Sequence, residues 1–218
     1  MEITLYYFKI AFWRAEMTRL ALYIGDIPFN NYIIEGKDRD NFKNSGILPN
    51  KKIAPFRQLP VLDVDGKIFA QTGAIARFCG KLSGLYPKDD DLAAARIDQV
   101  IEVAQDINYL FTLSSRDKEK EKLKLARKIL ATEHLPKYFN FLENLIKEND
   151  NSLFFVGENI SIADLAIWRL LGWFESGIID GVPTNILEPY ENLKKMRNEI
   201  YKHPKVNDWM IKTYGKVI

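Results

Sequence analysis

Apolar residues recur along this chain first with strand spacing and then, beyond residue 91, almost only with helical spacing. Residues 3–8, ITLYYF, are a run of β-branched and aromatic side chains and predict a strand. Residues 14–24, RAEMTRLALYI, change rhythm: Ala15, Thr18 and Leu22, with Met17, Leu20, Ala21 and Ile24, form one broad helical face. Gly25 supplies a C-cap, and Pro28 cannot continue the helix. FNNYIIE, residues 29–35, predicts a second strand, and residues 36–57, charged and scattered with Asn, Gly and Pro, read as a loop. In LPVLDVDGKIFAQ, Val61–Val64 and Lys67–Phe69 flank Asp65-Gly66, a strong hairpin signal, and TGAIARFCGKL then resumes helical spacing.

The order β-α-β followed by β-β-α predicts a parallel strand pair with a late antiparallel hairpin, an α/β domain over residues 1–83. GLYPKDDD, residues 84–91, reads as a linker, and residues 92–218 as an all-α domain. Leu92, Ala95, Val100, Val103, Ala104, Ile107 and Phe111 suit the buried side of one long helix. Residues 116–128, RDKEKEKLKLARK, interleave both charge signs and predict a charged loop running into a solvated helix. Further helical spacing covers 133–148, 161–177 and 189–202.

Composition narrows the classes. With 47% apolar residues in 218, the chain can bury a core. Its 31 basic and 29 acidic residues give a net charge of +2, which argues against a dedicated nucleic-acid binder. No apolar run reaches bilayer length, and MEITLYYFK lacks the features of a signal peptide. Cys79 is the single cysteine, so no internal disulfide forms, and we expect a reducing, cytoplasmic setting. His134 and His203 are too few and too separated to suggest a metal site, and none is expected.

Several motifs then coincide in order and spacing. A tyrosine ends the first strand ahead of Arg14-Ala15-Glu16, QLPVLDVDG precedes Gln71-Thr72-Gly73-Ala74-Ile75-Ala76-Arg77, Asp106 lies midway along the long helix, and FVGENISIADLAI follows in the second half. Together they resemble the soluble glutathione S-transferases over essentially the whole chain, nearest the tyrosine-using sigma class and similar to mu, pi and protozoan enzymes. That resemblance implies a thioredoxin-like N-terminal domain, an all-helical C-terminal domain that forms an electrophile pocket, and a homodimer. Glutathione would be the co-substrate and a hydrophobic small molecule the second one, with neither nucleic acid nor membrane as partner. The activity implied is conjugation of the glutathione thiolate to hydrophobic electrophiles, with isomerase or peroxidase side activity. A non-catalytic carrier of haem or apolar anions and a structural protein on the same fold are the alternatives.

The implied roles map residue by residue. The Leu59–Pro60 bond is expected to be cis, leaving the Leu59 main chain to pair with the cysteinyl backbone of glutathione, with Gln58 beside it. Gln71 and Thr72, opening a helix, suit the γ-glutamyl carboxylate and ammonium. Asp106 of the partner subunit would meet that ammonium. Arg14, Lys51 and Lys52 are candidates for the glycine carboxylate, with Phe42 where the family often has Trp. Phe12, Trp13, Tyr109, Phe111, Trp173 and Tyr214 are the expected walls of the electrophile pocket. Ser161 and Asp164 form a capping pattern that we assign to stability, and Cys79 is expected to be a buried small hydrophobe.

Two adjacent tyrosines leave one choice. Strand alternation puts Leu5 and Tyr7 on one face and Tyr6 on the other. Counted from the strand, Tyr7 matches the family's catalytic tyrosine; counted back from Arg14-Ala15-Glu16 without a gap, Phe8 falls there. We therefore place one extra residue in the loop 9–13, where Ala11-Phe12-Trp13 replaces the usual Arg-Gly, and expect Tyr7 to be catalytic and Tyr6 to pack under the sheet.

Overall fold

The structure is a computed structural model, and it describes residues 1–149 and 152–215. Strands β1 (Ile3–Tyr7), β2 (Asn30–Ile33), β3 (Val61–Val64) and β4 (Lys67–Ala70) form one sheet in the order β2-β1-β3-β4. β1 and β2 run parallel, while β1–β3 and β3–β4 are antiparallel. Helices α1 (Trp13–Ile24), α2 (Gly36–Ser45) and α3 (Thr72–Ser83) complete this layer. Alternation along β1 sorts its side chains. Ile3, Leu5 and Tyr7 pack with Ala15 and Leu22 of α1 and Ile75 and Cys79 of α3. Tyr6 joins Ile34, Phe42, Leu48 and Val61 on the opposite face. The two tyrosines are thus separated by the sheet itself, as a period of two requires.

Helices follow: α4 (Asp91–Ser114), α5 (Lys120–Ile129), a π-helical turn at Leu130–His134, α6 (Leu135–Glu148), α7 (Ile162–Glu175), α8 (Glu191–Lys202) and α9 (Pro204–Tyr214). α7 is the central one. Every residue from Ile162 to Leu171 is buried, and it packs against both α1 and α4. Its start is fixed by a capping box in which Asp164, without exposed surface, accepts from Ser161 N at 2.7 Å, Ser161 Oγ at 2.6 Å and Phe155 N at 2.9 Å.

Three expectations change. Residues 36–57 are not all loop: α2 occupies Gly36–Ser45 and ends at Gly46 in the left-handed region with φ 72°. Phe42 is its one buried residue, so it offered no apolar period to read. Leu92 is 65% exposed. The buried stripe of α4 runs through Ile97, Val100, Ile101, Ala104, Ile107 and Asn108, and Leu92 lies off its backward extension. α9 was not anticipated; Val206 and Met210 are its buried apolar residues, and polar contacts attach it elsewhere. α5, as expected, has no buried residue.

Candidate active site at the end of the first strand

β1 delivers Tyr7 to the point where the chain turns toward α1. The residue is 4% exposed. Its ring lies 5.5 Å from that of Phe8, and the Arg19 guanidinium sits 5.6 Å from its centroid. Burial pushes the hydroxyl up to about 12, against the opposing pull of the Arg14 and Arg19 charges. Near neutral pH it keeps its proton and is a hydrogen-bond donor. Among the described residues no protein acceptor takes that hydrogen bond. Tyr6, on the other face, stacks on Tyr32 at 5.3 Å, and burial followed by the Asp63 charge raises its hydroxyl.

The loop between β1 and α1 is held through its carbonyls. Arg19 Nη2 donates to Phe8 O and Arg19 Nη1 to Ile10 O, both at 3.0 Å. Arg169 from α7 donates to Ala11 O from Nε at 3.0 Å and from Nη2 at 2.8 Å. Both arginines are buried, so they hold the loop's carbonyls from the protein side, and Phe8 O accepts from Ile10 N as well, at 2.9 Å.

Beside it lies a cavity of about 60 Å³ that brings together Arg14, Gln58, Leu59, Pro60, Gln71 and Thr72. The Leu59–Pro60 bond is cis. Gln71 holds φ +77°, a conformation that costs a non-glycine residue roughly 1–3 kcal/mol and recurs at functional sites. It immediately precedes α3, whose N terminus receives no side-chain cap, so the first amides of α3 face an anion-binding position unspent. Arg14 Nε is buried without a hydrogen-bond partner. A cavity with an orphaned cationic donor, two amides and an uncapped helix start suits a zwitterionic, carboxylate-bearing ligand. Phe56, Ala70 and Gln105 also line it and were not anticipated. Gln105 is the immediate neighbour of Asp106 and four residues beyond Ile101 of the buried stripe, a spacing that could have pointed to it.

Other expected residues sit elsewhere. Lys52 is committed to the hairpin: its Nζ donates to Gly66 O and lies 3.5 Å from Asp63 Oδ2. Phe42 is 7% exposed and buried in the cluster behind Leu59 and Ala70, and it is not itself among the residues lining the cavity. Lys51 is exposed and outside the cavity wall. Asp106 is exposed on α4; burial and then its charge raise the Tyr138 hydroxyl, which places it on the α6 side of the helix.

The expected electrophile walls divide as well. Phe12 and Phe111 both stack edge-on against Trp173, with centroids at 4.8 and 4.3 Å. Trp13, by contrast, is wholly buried and its Nε1 lies 3.5 Å from Asn108 Oδ1, so it belongs to the core between α1 and α4. Tyr109 is 56% exposed and joins none of these ring contacts. Tyr214 spends its hydroxyl on Glu16 and Arg19.

Among the described residues, no group of three or more His, Cys, Asp or Glu side chains could hold a metal ion, and no helix is long and apolar enough to cross a membrane.

Residues 105–213 match the family model described as glutathione S-transferase, C-terminal domain. A glutathione S-transferase of Plasmodium yoelii yoelii is 31% identical over 75% of this chain and 74% of its own length. One from Plasmodium falciparum is 32% identical over 78% of each. Among solved structures, prostaglandin synthase D of Nilaparvata lugens superposes with a TM-score of 0.81 at 27% identity, covering 97% of this chain and 98% of that one.

Proposed function

The chain belongs to the glutathione S-transferase family, and we propose that it conjugates glutathione to apolar electrophiles, using the Tyr7 hydroxyl to hold the attacking sulfur as a thiolate. The observation that carries this reading is the position of Arg14. It is close enough to Tyr7 to pull its hydroxyl down, and it walls the cavity with an unpaired Nε. Tyr7 is not itself among the residues lining that cavity, but Leu59, which is, packs against the cluster that holds Tyr7, and in this reading the ligand's sulfur extends from the cavity to the protonated phenol.

The chemistry follows from magnitudes. A cysteinyl thiol with a free pKa of about 8.5 needs roughly 2.7 kcal/mol of selective thiolate stabilisation to ionise near 6.5. One hydrogen bond to a charged acceptor contributes about 1.5–3 kcal/mol. A single phenolic donor is therefore of the right size. The thiol proton leaves to solvent, sulfur forms a bond to the electrophilic carbon, and the leaving group departs with its electron pair. Isomerisation or peroxide reduction would start from the same thiolate.

In this reading Gln71, Thr72 and the N terminus of α3 hold the γ-glutamyl end. Leu59 pairs with the cysteinyl backbone, with Gln58 beside it. Arg14 and Lys51 remain for the glycine carboxylate, since Lys52 is engaged by Asp63 and Gly66. Phe12, Phe111 and Trp173 form the apolar wall. We further propose a homodimer in which Asp106 of one copy approaches the ammonium bound by the other. The 58% exposure of Phe56 and 51% exposure of Phe141 support a second copy covering this surface. A cytoplasmic location accords with a lone thiol.

Retention on glutathione resin followed by a chlorodinitrobenzene conjugation assay tests the proposal. Binding with turnover supports it. Binding without turnover favours a carrier, and failure to bind favours a structural role.

A further inference from the structure

Glu16 and Arg19 form an ion pair at 2.9 Å with no exposed side-chain surface on either partner. Such a pair is tolerable only when its remaining hydrogen-bonding capacity is filled. Here α9 fills it. Trp209 Nε1 donates to Glu16 Oε1 at 2.6 Å, and the Tyr214 hydroxyl donates to Glu16 Oε2 at 2.6 Å while lying 3.0 Å from Arg19 Nη1. Arg19 then has its fork fully directed: Nε to Asn31 Oδ1 at 2.9 Å, Nη1 to Ile10 O and Nη2 to Phe8 O. Phe8 is the residue next to Tyr7, and Ile10 lies within the loop 9–13. The same guanidinium overlies the Tyr7 ring.

We propose that Tyr214 and Trp209 are positioning residues for thiol activation, acting from α9 through Glu16 and Arg19 to fix the main chain on either side of Lys9 and hence the direction of the Tyr7 hydroxyl. This rests on Tyr7 being the sulfur-directed donor. The groups facing the network are Arg169 from α7, Arg14 from α1 and the Tyr7 hydroxyl itself. α9 has independent anchors on and just after α1: Lys205 Nζ donates to Ile24 O at 2.8 Å and pairs with Asp26, and Tyr23 donates to Asp208. Loss of one Glu16 contact therefore leaves α9 attached and changes its aim. Displacement of a catalytic group by about 1 Å can cost on the order of a hundredfold, so a partial loss of aim is expected to cost about tenfold.

The experiment compares Tyr214→Phe and Trp209→Phe with Tyr7→Phe, measuring glutathione affinity, kcat with chlorodinitrobenzene and the pH at which bound glutathione ionises. Either α9 variant is expected to lower kcat about tenfold, move thiol ionisation up by about half to one pH unit, and leave glutathione affinity within about twofold. In the Tyr7→Phe background, adding Tyr214→Phe is expected to change kcat less than about twofold, because the two act in series. If Tyr7→Phe is depressed but the α9 variants ionise glutathione normally, or their losses add fully to that of Tyr7→Phe, the positioning role is overturned and the tyrosine mechanism stands. If Tyr7→Phe itself is fully active, the tyrosine mechanism falls first. Should Tyr214→Phe fail to fold, Trp209→Phe, which deletes a donor to the other carboxylate oxygen, decides the matter alone.

Discussion

Replacing Tyr7 by Phe removes one oxygen from a side chain that is 4% exposed and leaves its ring contacts with Phe8 and Arg19 in place. Because the hydroxyl makes no hydrogen bond to protein among the described residues, folding stability is expected to change by less than about 1 kcal/mol. The catalytic cost follows from its protonation. With burial raising the hydroxyl to about 12, it remains a donor throughout the working range, and what is lost is one charge-assisted hydrogen bond. At about 1.5–3 kcal/mol, that loss corresponds to about 10- to 150-fold in turnover. The inflection of the rate against pH should move from near ~6.5 toward the free-thiol value near ~8.5, while glutathione affinity holds. Steady-state conjugation of chlorodinitrobenzene between roughly pH 5.5 and 9, with glutathione binding by calorimetry, measures both. A variant within about threefold of the parent at every pH would refute the reasoning, as would a large loss of stability, which would make the hydroxyl structural.

Gln71→Ala removes a cavity amide from a residue held at φ +77°; glutathione affinity should fall about tenfold, with saturated turnover within about threefold, and calorimetry with the same assay separates the two. Asp164→Ala strips acceptors from Ser161 N, Ser161 Oγ and Phe155 N in a fully buried position; leaving those donors unpaired should cost about 3–5 kcal/mol, read as a lowered denaturant midpoint, and a loss under about 1 kcal/mol would contradict it. Burial pushes the Cys79 thiol from 9.0 up to about 12, so its contribution is intact below pH 9 and is lost as pH rises through 12. Labelling of Cys79 by iodoacetamide near pH 8 should therefore follow global unfolding, and rapid labelling of the native protein would refute it.

What was readable from the chain and what was not divides along a physical line. β1, α1, the hairpin and α3 were legible because each carries its own local signal: period-two alternation through Leu5 and Tyr7, an apolar face on α1, Asp65-Gly66 at the turn. The Gln71-Thr72 helix start was legible for the same reason. α2 carried no signal because Phe42 is its one buried residue, and α9 because Val206 and Met210 are too sparse to set a period. Lys52 and Tyr214 are placed by distant polar partners that no local pattern announces. Lys52 resembles a free loop lysine until Asp63 and Gly66 are folded beside it. Glu16 and Arg19 are three apart on a helix, a spacing that by itself says only that their side chains can meet. In the structure they are wholly buried, because residues some 190 positions later supply the acceptor and donors that make burial tolerable. A contact of that kind has no local spacing to betray it. Yet it decides how the loop beside Tyr7 sits, so the part of the site most able to tune the thiol is the part that local pattern could not reveal.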